Sequence, residues 1–231
     1  MLPAQLAPSS PPLSAGEVNF LWWFMQGGIM EVETRHKLWD AWGLCTRHAA
    51  AWLGVEGAFR SGRFHGPAIV YAELMGMARR ALAPSGRLAG ARVRRALRPR
   101  AECLMCEAGF GAGSPGFVPG RRLEIGRDAS RLIEFMRATE SSWRGSVCGR
   151  CARSAAPSRC RLHLLEDLAR DPLLVLGPHR ESLARLAVHL ERYERSFRWE
   201  ERGSDTVEDR GALVGAMGWC SGWARLLELM R

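Results

Sequence analysis

Four short pairs of metal-ligating residues constrain the fold of this chain more than any other feature. The pairs are Cys45/His48, Cys103/Cys106, Cys148/Cys151 and Cys160/His163, and two residues separate the members of each. A tight turn at Cys-x-x-Cys directs both sulfurs towards one point, and positions i and i+3 at the start of a helix share one face. The eight residues therefore predict two tetrahedral metal sites.

Zinc is the metal that this donor set favours, and we expect two structural ions. Thiolates and imidazoles without a carboxylate cluster suit Zn²⁺, whereas the histidines and the spacings differ from the common iron–sulfur patterns. The competing interpretation is that some pairs are buried thiols and core histidines. We interpret Cys220, which stands alone beside Trp219, in that way. The histidines without a partner pattern are interpreted as surface or core residues: His36, His65, His179 and His189.

The rest of the chain is typical of an all-α protein. Ser14 and Glu17 form a capping box that predicts a helix start near residue 15. The apolar stretch VNFLWWFMQGGIM is only about thirteen residues long, too short for a membrane span, and predicts a buried helix. Strand signals are nearly absent. The sequence predicts a helical bundle of two related halves, tied together by Cys/His zinc sites.

Composition divides the chain into four parts. The composition of residues 1–13 predicts a disordered leader without the pattern of a signal peptide. We expect residues 14–82 to form an N-terminal helical half. Residues 83–101, with six arginines, predict a basic linker, and 102–231 a C-terminal helical half with zinc-binding motifs. With no export signal we expect a reducing, cytoplasmic compartment, in which the seven cysteines serve as metal ligands or free thiols.

The assignment of pairs to ions has two solutions on this evidence. The segment CGRCARSAAPSRCRLH, residues 148–163, contains four ligands and can close as one finger. Cys45/His48 and Cys103/Cys106 would then hold the second ion. Alternatively, Cys103/Cys106 joins the 148–163 segment across the intervening helix.

The stretches GLCTRHAAAWL, CLMC, CRLHLLEDL and ERYERSFRWEERGSDTVEDRGALVGAMGW resemble a bacterial family of Cys/His-rich helical proteins, catalogued as a domain of unknown function. Its members have two similar halves, each with Cys-x-x-Cys, a long helical segment and Cys-x-x-His. The resemblance covers roughly residues 17–220 and implies no established activity.

This resemblance implies Cys103, Cys106, Cys160 and His163 as one ligand set. The chain departs from the family pattern twice, because its first half lacks the Cys-x-x-Cys and its second half has the extra pair Cys148/Cys151. The extra pair would replace the missing one, either by reaching Cys45/His48 or by re-sorting the ligands locally. On this basis we expect residues 148–163 to be two half-sites, at least one of them completed by Cys103 and Cys106.

Three functional hypotheses follow. The first is a non-catalytic, zinc-stabilised binding or scaffold protein with a macromolecular partner. The second is a nucleic-acid-binding or regulatory protein, since the net charge is +9 and Lys37 is the only lysine among 33 basic residues. The third is a thiol-based redox sensor or zinc enzyme, in which an incompletely coordinated Cys45/His48 pair leaves a reactive thiolate.

Overall fold

The computed structural model describes residues 11–231, and within this range the chain is helical without a β-strand. The helices are α1 (Ala15–Gln26), α2 (Val32–Ala41), α3 (Thr46–Phe59), α4 (His65–Leu82), α5 (Ala89–Leu97), α6 (Leu104–Glu107), α7 (Gly120–Arg127), α8 (Ser130–Ala138), α9 (Glu140–Trp143), α10 (Gly149–Ala152), α11 (Arg161–Arg170), α12 (Gly177–Arg195), α13 (Val207–Ser221) and α14 (Ala224–Leu229). Short 3-10 turns lie at Gly28–Met30, Arg144–Ser146 and Trp199–Glu201.

Two helices that are buried on all sides form the centre of the structure. Every residue from His48 to Gly57 of α3 and from Gly211 to Ser221 of α13 is buried. Helix α13 packs against α4, α9 and α12, whereas α3 packs against α1, α7, α8 and α14. A helix without a polar face has to be enclosed by others, which explains the central position of both.

Small residues allow the close packing around α13. A Cβ atom on Gly218 would lie 2.3 Å from the indole ring of Trp223, which closes over the end of the helix. Trp223 can return to this position because the helix stops at Gly222, whose φ of +90° is costly for residues with a side chain. As a result, α14 is a separate element and does not continue α13.

The C-terminal end of α13 is connected to two distant parts of the chain. Ser221 Oγ donates a hydrogen bond to Leu44 O at 2.7 Å, and Thr46 Oγ1 donates to Ser221 O. Arg161 Nε donates to Cys220 O at 3.2 Å. Carbonyl groups in the last turn of a helix have no partner within the helix, so these bonds satisfy them. As a result, α13 holds the residues beside Cys45 and beside Cys160.

The all-α prediction is confirmed, as is the capping box at the start of α1. Glu17 N donates to Ser14 Oγ at 3.1 Å, and Ser14 N donates to Glu17 Oε2 at 2.8 Å. Helix α1 is buried through Val18, Leu21 and Phe24. In the part of the chain that the structure describes, each helix is too short or too polar to cross a membrane.

The segments predicted as leader and linker contain more packing than their composition indicates. Residues 1–10 of the leader lie outside the described residues, but Leu13 is buried in the core. The segment 83–101 contains helix α5, whose Val93 and Leu97 are fully buried. Its apolar residues share one face, so this segment is anchored to the core along a helix. The division into two related halves stays a prediction.

Candidate metal centres

The structure brings all eight predicted ligands together in two groups. The first cluster consists of Cys45, His48, Cys103 and Cys106, and the second cluster consists of Cys148, Cys151, Cys160 and His163. In each cluster, three sulfur atoms and one imidazole nitrogen lie within 4.8 Å of one another. Three sulfurs and one nitrogen are a donor set of structural zinc sites.

Both clusters are built from the same local element, used four times. Cys45, Cys103, Cys148 and Cys160 are each the residue that precedes the first turn of a helix, namely α3, α6, α10 and α11. The second ligand of every pair is then the third residue of that helix. Because the backbone N–H groups of a first helical turn point outward and carry partial positive charge, this position stabilises a thiolate.

The interatomic distances match a closed tetrahedron around zinc. Nδ1 of His48 lies 3.3, 3.4 and 3.5 Å from the sulfurs of Cys45, Cys103 and Cys106, and the Cys45 and Cys106 sulfurs are 3.8 Å apart. Ligand bonds of about 2.3 Å to sulfur and 2.0–2.1 Å to nitrogen give tetrahedral edges of about 3.8 Å between sulfurs and about 3.6 Å between sulfur and nitrogen.

The second cluster has nearly the same dimensions. Nδ1 of His163 lies 3.2, 3.4 and 3.3 Å from the sulfurs of Cys148, Cys151 and Cys160, and the sulfurs of Cys151 and Cys160 are 3.8 Å apart. Sulfur atoms joined in a disulfide would be about 2.0 Å apart, so all six cysteines are free. Two separately built clusters thus have the geometry that one kind of ion requires.

The ligands are sorted differently from the set that the family resemblance implied. Cys103 and Cys106 belong with Cys45 and His48, and they do not share a cluster with Cys160 and His163. Residues 148–163 supply one complete cluster, so the expectation of two half-sites was wrong. The ligand spacing left two assignments open, and the structure has the one in which residues 148–163 form a complete cluster by themselves.

The finger closes because its loop is held by backbone and arginine contacts. Gly149 N donates to Ser158 O at 3.0 Å, and a Cβ atom on Gly149 would lie 2.1 Å from Ala156 O. Arg159 Nη1 donates to the carbonyl oxygens of Ala156, Pro157 and Ser158 at 3.0–3.1 Å. Arg159 Nε donates to Asp167 Oδ2 of α11 at 2.8 Å. These contacts bring Cys148 and Cys151 to Cys160 within a short chain segment.

A buried carboxylate lies behind the histidine of the first cluster. Glu17 Oε1 is 3.2 Å from Nε2 of His48, the ring nitrogen opposite the three sulfurs. Arg47 binds the same carboxylate with Nε at 2.7 Å and Nη2 at 2.9 Å. Carboxylates in this position fix the tautomer and orientation of a metal-ligating histidine. The sequence identified Glu17 only as a capping residue, since nothing in it connects α1 with Cys45.

The hydrogen bonds of Glu17 hold it in the ionised form. Burial alone would raise the pKa of Glu17, but hydrogen bonds from His48, Arg47 and the backbone of Ser14 lower it to about 2. Charge–charge attraction by Arg47 lowers this pKa further. The carboxylate is therefore negative and favours the His48 tautomer with its hydrogen on Nε2, so that Nδ1 can donate its lone pair to a metal ion bound among the sulfurs.

In both clusters the thiols oppose one another's ionisation. The hydrogen bond from Cys103 lowers the pKa of Cys45, and the same contact raises the pKa of Cys103. In the second cluster, hydrogen bonds from Cys151 and Cys160 lower the pKa of Cys148, and both partners have a raised pKa. One thiolate forms readily in each cluster, and a bound cation would favour the ionised form of the other two.

Arg161 is a buried cation that ion-pairs with no carboxylate in residues 11–231. Its guanidinium donates to the carbonyl oxygens of Cys220 and Leu97 and lies 5.7 Å from the centre of the Trp42 ring. A buried charge is costly unless negative charge lies nearby. Zn²⁺ with three thiolates carries a net charge of −1, and the adjoining Cys160 belongs to such a set. Arg161 thus fits beside an ionised second cluster.

The remaining cysteine and histidines lie outside both clusters. Cys220 is fully buried in α13, and burial raises the pKa of its thiol to about 12, as expected for an inert core residue. His189 Nδ1 lies 2.7 Å from Asp209 Oδ1, and the ring of His65 stacks on Phe197. Neither contact was evident from the sequence, because each joins separate helices or turns.

Comparisons of the chain with models of known protein families, with curated proteins and with solved structures find no match.

Proposed function

We propose that this protein is a non-catalytic, zinc-stabilised helical scaffold, in which two structural ions fix a surface for a macromolecular partner. The observation that carries the proposal is the presence of four protein donors at tetrahedral spacing in each cluster. Zinc is favoured over other metals because three thiolates and an imidazole are present without a carboxylate ligand.

The structural role follows from the ligand count. Catalytic zinc sites leave one position open for water or substrate, whereas four protein ligands fill the coordination sphere of a structural site. Cys45 and His48 form a complete cluster with Cys103 and Cys106, which argues against an open zinc site at this pair. The thiol-sensor hypothesis required Cys45/His48 to be incompletely coordinated, and this cluster has four donors.

The position of the clusters also supports a stabilising role. The first cluster joins the start of α3 to the short helix α6, from a distant part of the chain. The second joins the short helix α10 to the start of α11. Helices of four residues such as α6 and α10 are unstable on their own, because helix nucleation is unfavourable. Each bound ion would add on the order of 10 kcal/mol to the folding free energy.

We also propose that the chain is a variant of the bacterial Cys/His-rich family that its motifs resemble, with its ligand pairs re-sorted. In this variant, Cys103/Cys106, which is the Cys-x-x-Cys of the family's second half, shares a cluster with Cys45/His48. The extra pair Cys148/Cys151 shares a cluster with Cys160/His163. The grouping of the eight ligands supports this re-sorting of the pairs. No activity follows from it.

The decisive experiment is metal analysis of the purified protein, followed by thermal unfolding before and after chelation. We expect two equivalents of zinc per chain and a large loss of helical signal or melting temperature when zinc is removed. Readdition of zinc should restore the fold. Protein that is purified without metal and melts identically in the presence of a chelator would refute the proposal.

A further inference from the structure

A surface formed by the end of α4 and by α5 is positively charged without compensation. Residues 74–101 contain eight arginines and no aspartate or glutamate. Seven of these arginines form no ion pair within residues 11–231, and we call them the arginine surface: Arg79, Arg80, Arg87, Arg92, Arg94, Arg95 and Arg98. The eighth, Arg100, lies 3.9 Å from Asp40.

Helix α5 divides sharply into an apolar and a basic face. Val93 and Leu97 are fully buried, and Gly90 packs against the backbone of Pro172. At 100° per residue, the arginines of α5 and its C-terminal cap occupy the remaining circumference, and all but the half-buried Arg94 are exposed. The apolar face is therefore already used for packing, and the outer face is available as a cationic surface.

Interaction with helix ends explains only part of this charge. Arg79 and Arg80 lie in the last turn of α4, and Arg94 and Arg95 lie in the last turn of α5. There they are favourable to the helix dipole, as is Arg98 at the C-terminal cap of α5. Arg87 and Arg92 lie away from the C-terminal end of either helix. Like charges at this density repel one another. An anionic partner would reduce this repulsion, so its binding to the arginine surface is favourable.

The chemistry of the surface favours phosphate groups joined in a chain. Guanidinium groups bind phosphate oxygens with two parallel hydrogen bonds and are weakly hydrated. An anionic membrane would also attract them, but membrane-surface helices place large apolar side chains beside the cations. The exposed residues of α5 other than arginine are Ala91 and Ala96, with Leu88 just before the helix. A nucleic acid backbone therefore fits better than a lipid surface.

Both metal clusters are connected to the C-terminal end of α5. Arg161, the residue after the ligand Cys160, donates to Leu97 O at the end of α5. The chain then continues through Arg100, whose backbone N–H donates to Asp40 O at 2.7 Å, to the ligand Cys103. A surface anchored by these hydrogen bonds next to two ligand clusters loses little conformational entropy on binding.

We propose that the arginine surface binds the phosphate backbone of nucleic acid, without reading the base sequence. This inference rests on the proposed function, since it identifies the partner of the zinc-stabilised scaffold. Contacts to phosphate are favoured over base readout because asparagine, glutamine and aromatic residues are absent from the outer face of α5. Arginine is the only residue type there that can also reach a base edge, at guanine, and probes of unrelated base sequence test this alternative.

The test compares two triple variants of the zinc-loaded, full-length protein with the same change in net charge. R92Q/R95Q/R98Q removes three arginines of the surface whose side chains form no hydrogen bond or ion pair within the described residues. The control R131Q/R144Q/R198Q removes three exposed arginines that pair with glutamates of their own helices or turns. Fluorescence anisotropy would follow binding to a DNA duplex of about two helical turns and to a single strand of equal length.

We expect wild-type binding to weaken steeply between about 50 and 200 mM salt, at similar rates for unrelated base sequences. Loss of three phosphate contacts should reduce the slope of log K against log salt by about 2 to 3, and raise the Kd roughly 100-fold at 0.1 M salt. The control triple variant should change the Kd less than about threefold. A second surface variant, R79Q/R80Q/R87Q, should also weaken binding.

Equal losses of nucleic acid affinity in the surface and control variants would overturn the proposal, as would an affinity that does not depend on salt. Binding to phosphatidylserine vesicles in place of both nucleic acid probes would overturn it in favour of a membrane surface. Zinc content and melting curves are recorded for every sample. Zinc-loaded, stable protein that fails to bind nucleic acid refutes this inference alone, whereas metal-free protein that binds as expected refutes only the proposed function.

Discussion

Replacement of Glu17 by glutamine should weaken metal binding at the first cluster and leave the second unaffected. The buried carboxylate accepts two hydrogen bonds from Arg47 and lies 3.2 Å from Nε2 of His48. Glutamine keeps the size of the side chain and can still cap α1, because Ser-x-x-Gln is also a capping box. The substitution therefore removes charge with little change in helix start or packing.

The expected magnitude follows from the acceptors that are lost. The single amide oxygen of glutamine can keep the contacts of Oε2, but the NH2 group that replaces Oε1 cannot accept from Arg47 Nε or His48 Nε2. A hydrogen bond to a charged group contributes about 1.5–3 kcal/mol. The free energy of unfolding of the zinc-loaded protein should fall by about 3 kcal/mol, as for other broken buried ion pairs. Loss of the group that orients His48 should lower metal affinity at the first cluster by about 10- to 100-fold.

Cysteine alkylation during a chelator titration can separate the two clusters. As zinc is withdrawn, each released thiolate is alkylated and located by mass mapping. In E17Q we expect Cys103 and Cys106 to be labelled at a 10- to 100-fold lower chelator activity than in wild type. Labelling of Cys148 and Cys151 should be unchanged.

The matched control is E166Q beside the second cluster. Glu166 pairs with Arg150 at 2.6 Å, but its side chain is 50% exposed. An exposed ion pair contributes less than about 1 kcal/mol, so E166Q should shift neither titration. If E17Q has no more effect than E166Q, or if both clusters weaken equally in E17Q, Glu17 does not act through His48.

Three further changes test other parts of the structure. Burial raises the pKa of Glu56 to about 7, although hydrogen bonds from Gly66 and Trp52 oppose this rise. The contribution of Glu56 to stability should thus be greatest below about pH 4.5 and decline by up to about 3 kcal/mol as pH rises to about 7. Denaturant titrations of E56Q and wild type, compared at each pH, should show this decline only in wild type. G149A should release one zinc equivalent in metal analysis, because the new Cβ would lie 2.1 Å from Ala156 O; G145A, with nothing within 4 Å of its Cβ, should release none. C220A should retain both zinc equivalents, and native protein should resist alkylation at Cys220 because the thiol is fully buried; labelling there at the rate of a free thiol would contradict this.

The features that sequence patterns predicted well are those that depend on neighbouring residues. The capping box at Ser14 and Glu17 requires only residues three apart, and the structure contains it. Each Cys-x-x-Cys or Cys-x-x-His pair likewise forms within one helical turn, so all eight ligands could be identified.

The sorting of the pairs depended on contacts that spacing does not encode. Eight residues separate Cys151 from Cys160. This loop brings the two cysteines together because Arg159 binds three consecutive carbonyl oxygens and Gly149 leaves room for the loop backbone. Neither residue belongs to a known metal motif. In the same way, Glu17 meets His48 because α1 packs against α3, and a position in a distant helix has no local signal.

The end of α13 explains how two separate metal centres belong to one structure. Ser221 fixes Leu44 and Thr46 on either side of Cys45, and Cys220 O accepts from Arg161 beside Cys160. The clusters share no ligand, so each ion can bind alone, but both position residues against the same turn of a fully buried helix. Because Arg161 also binds the end of α5, a change at the second cluster reaches the arginine surface through one side chain. Arg161 therefore links the second cluster physically to the geometry of that surface.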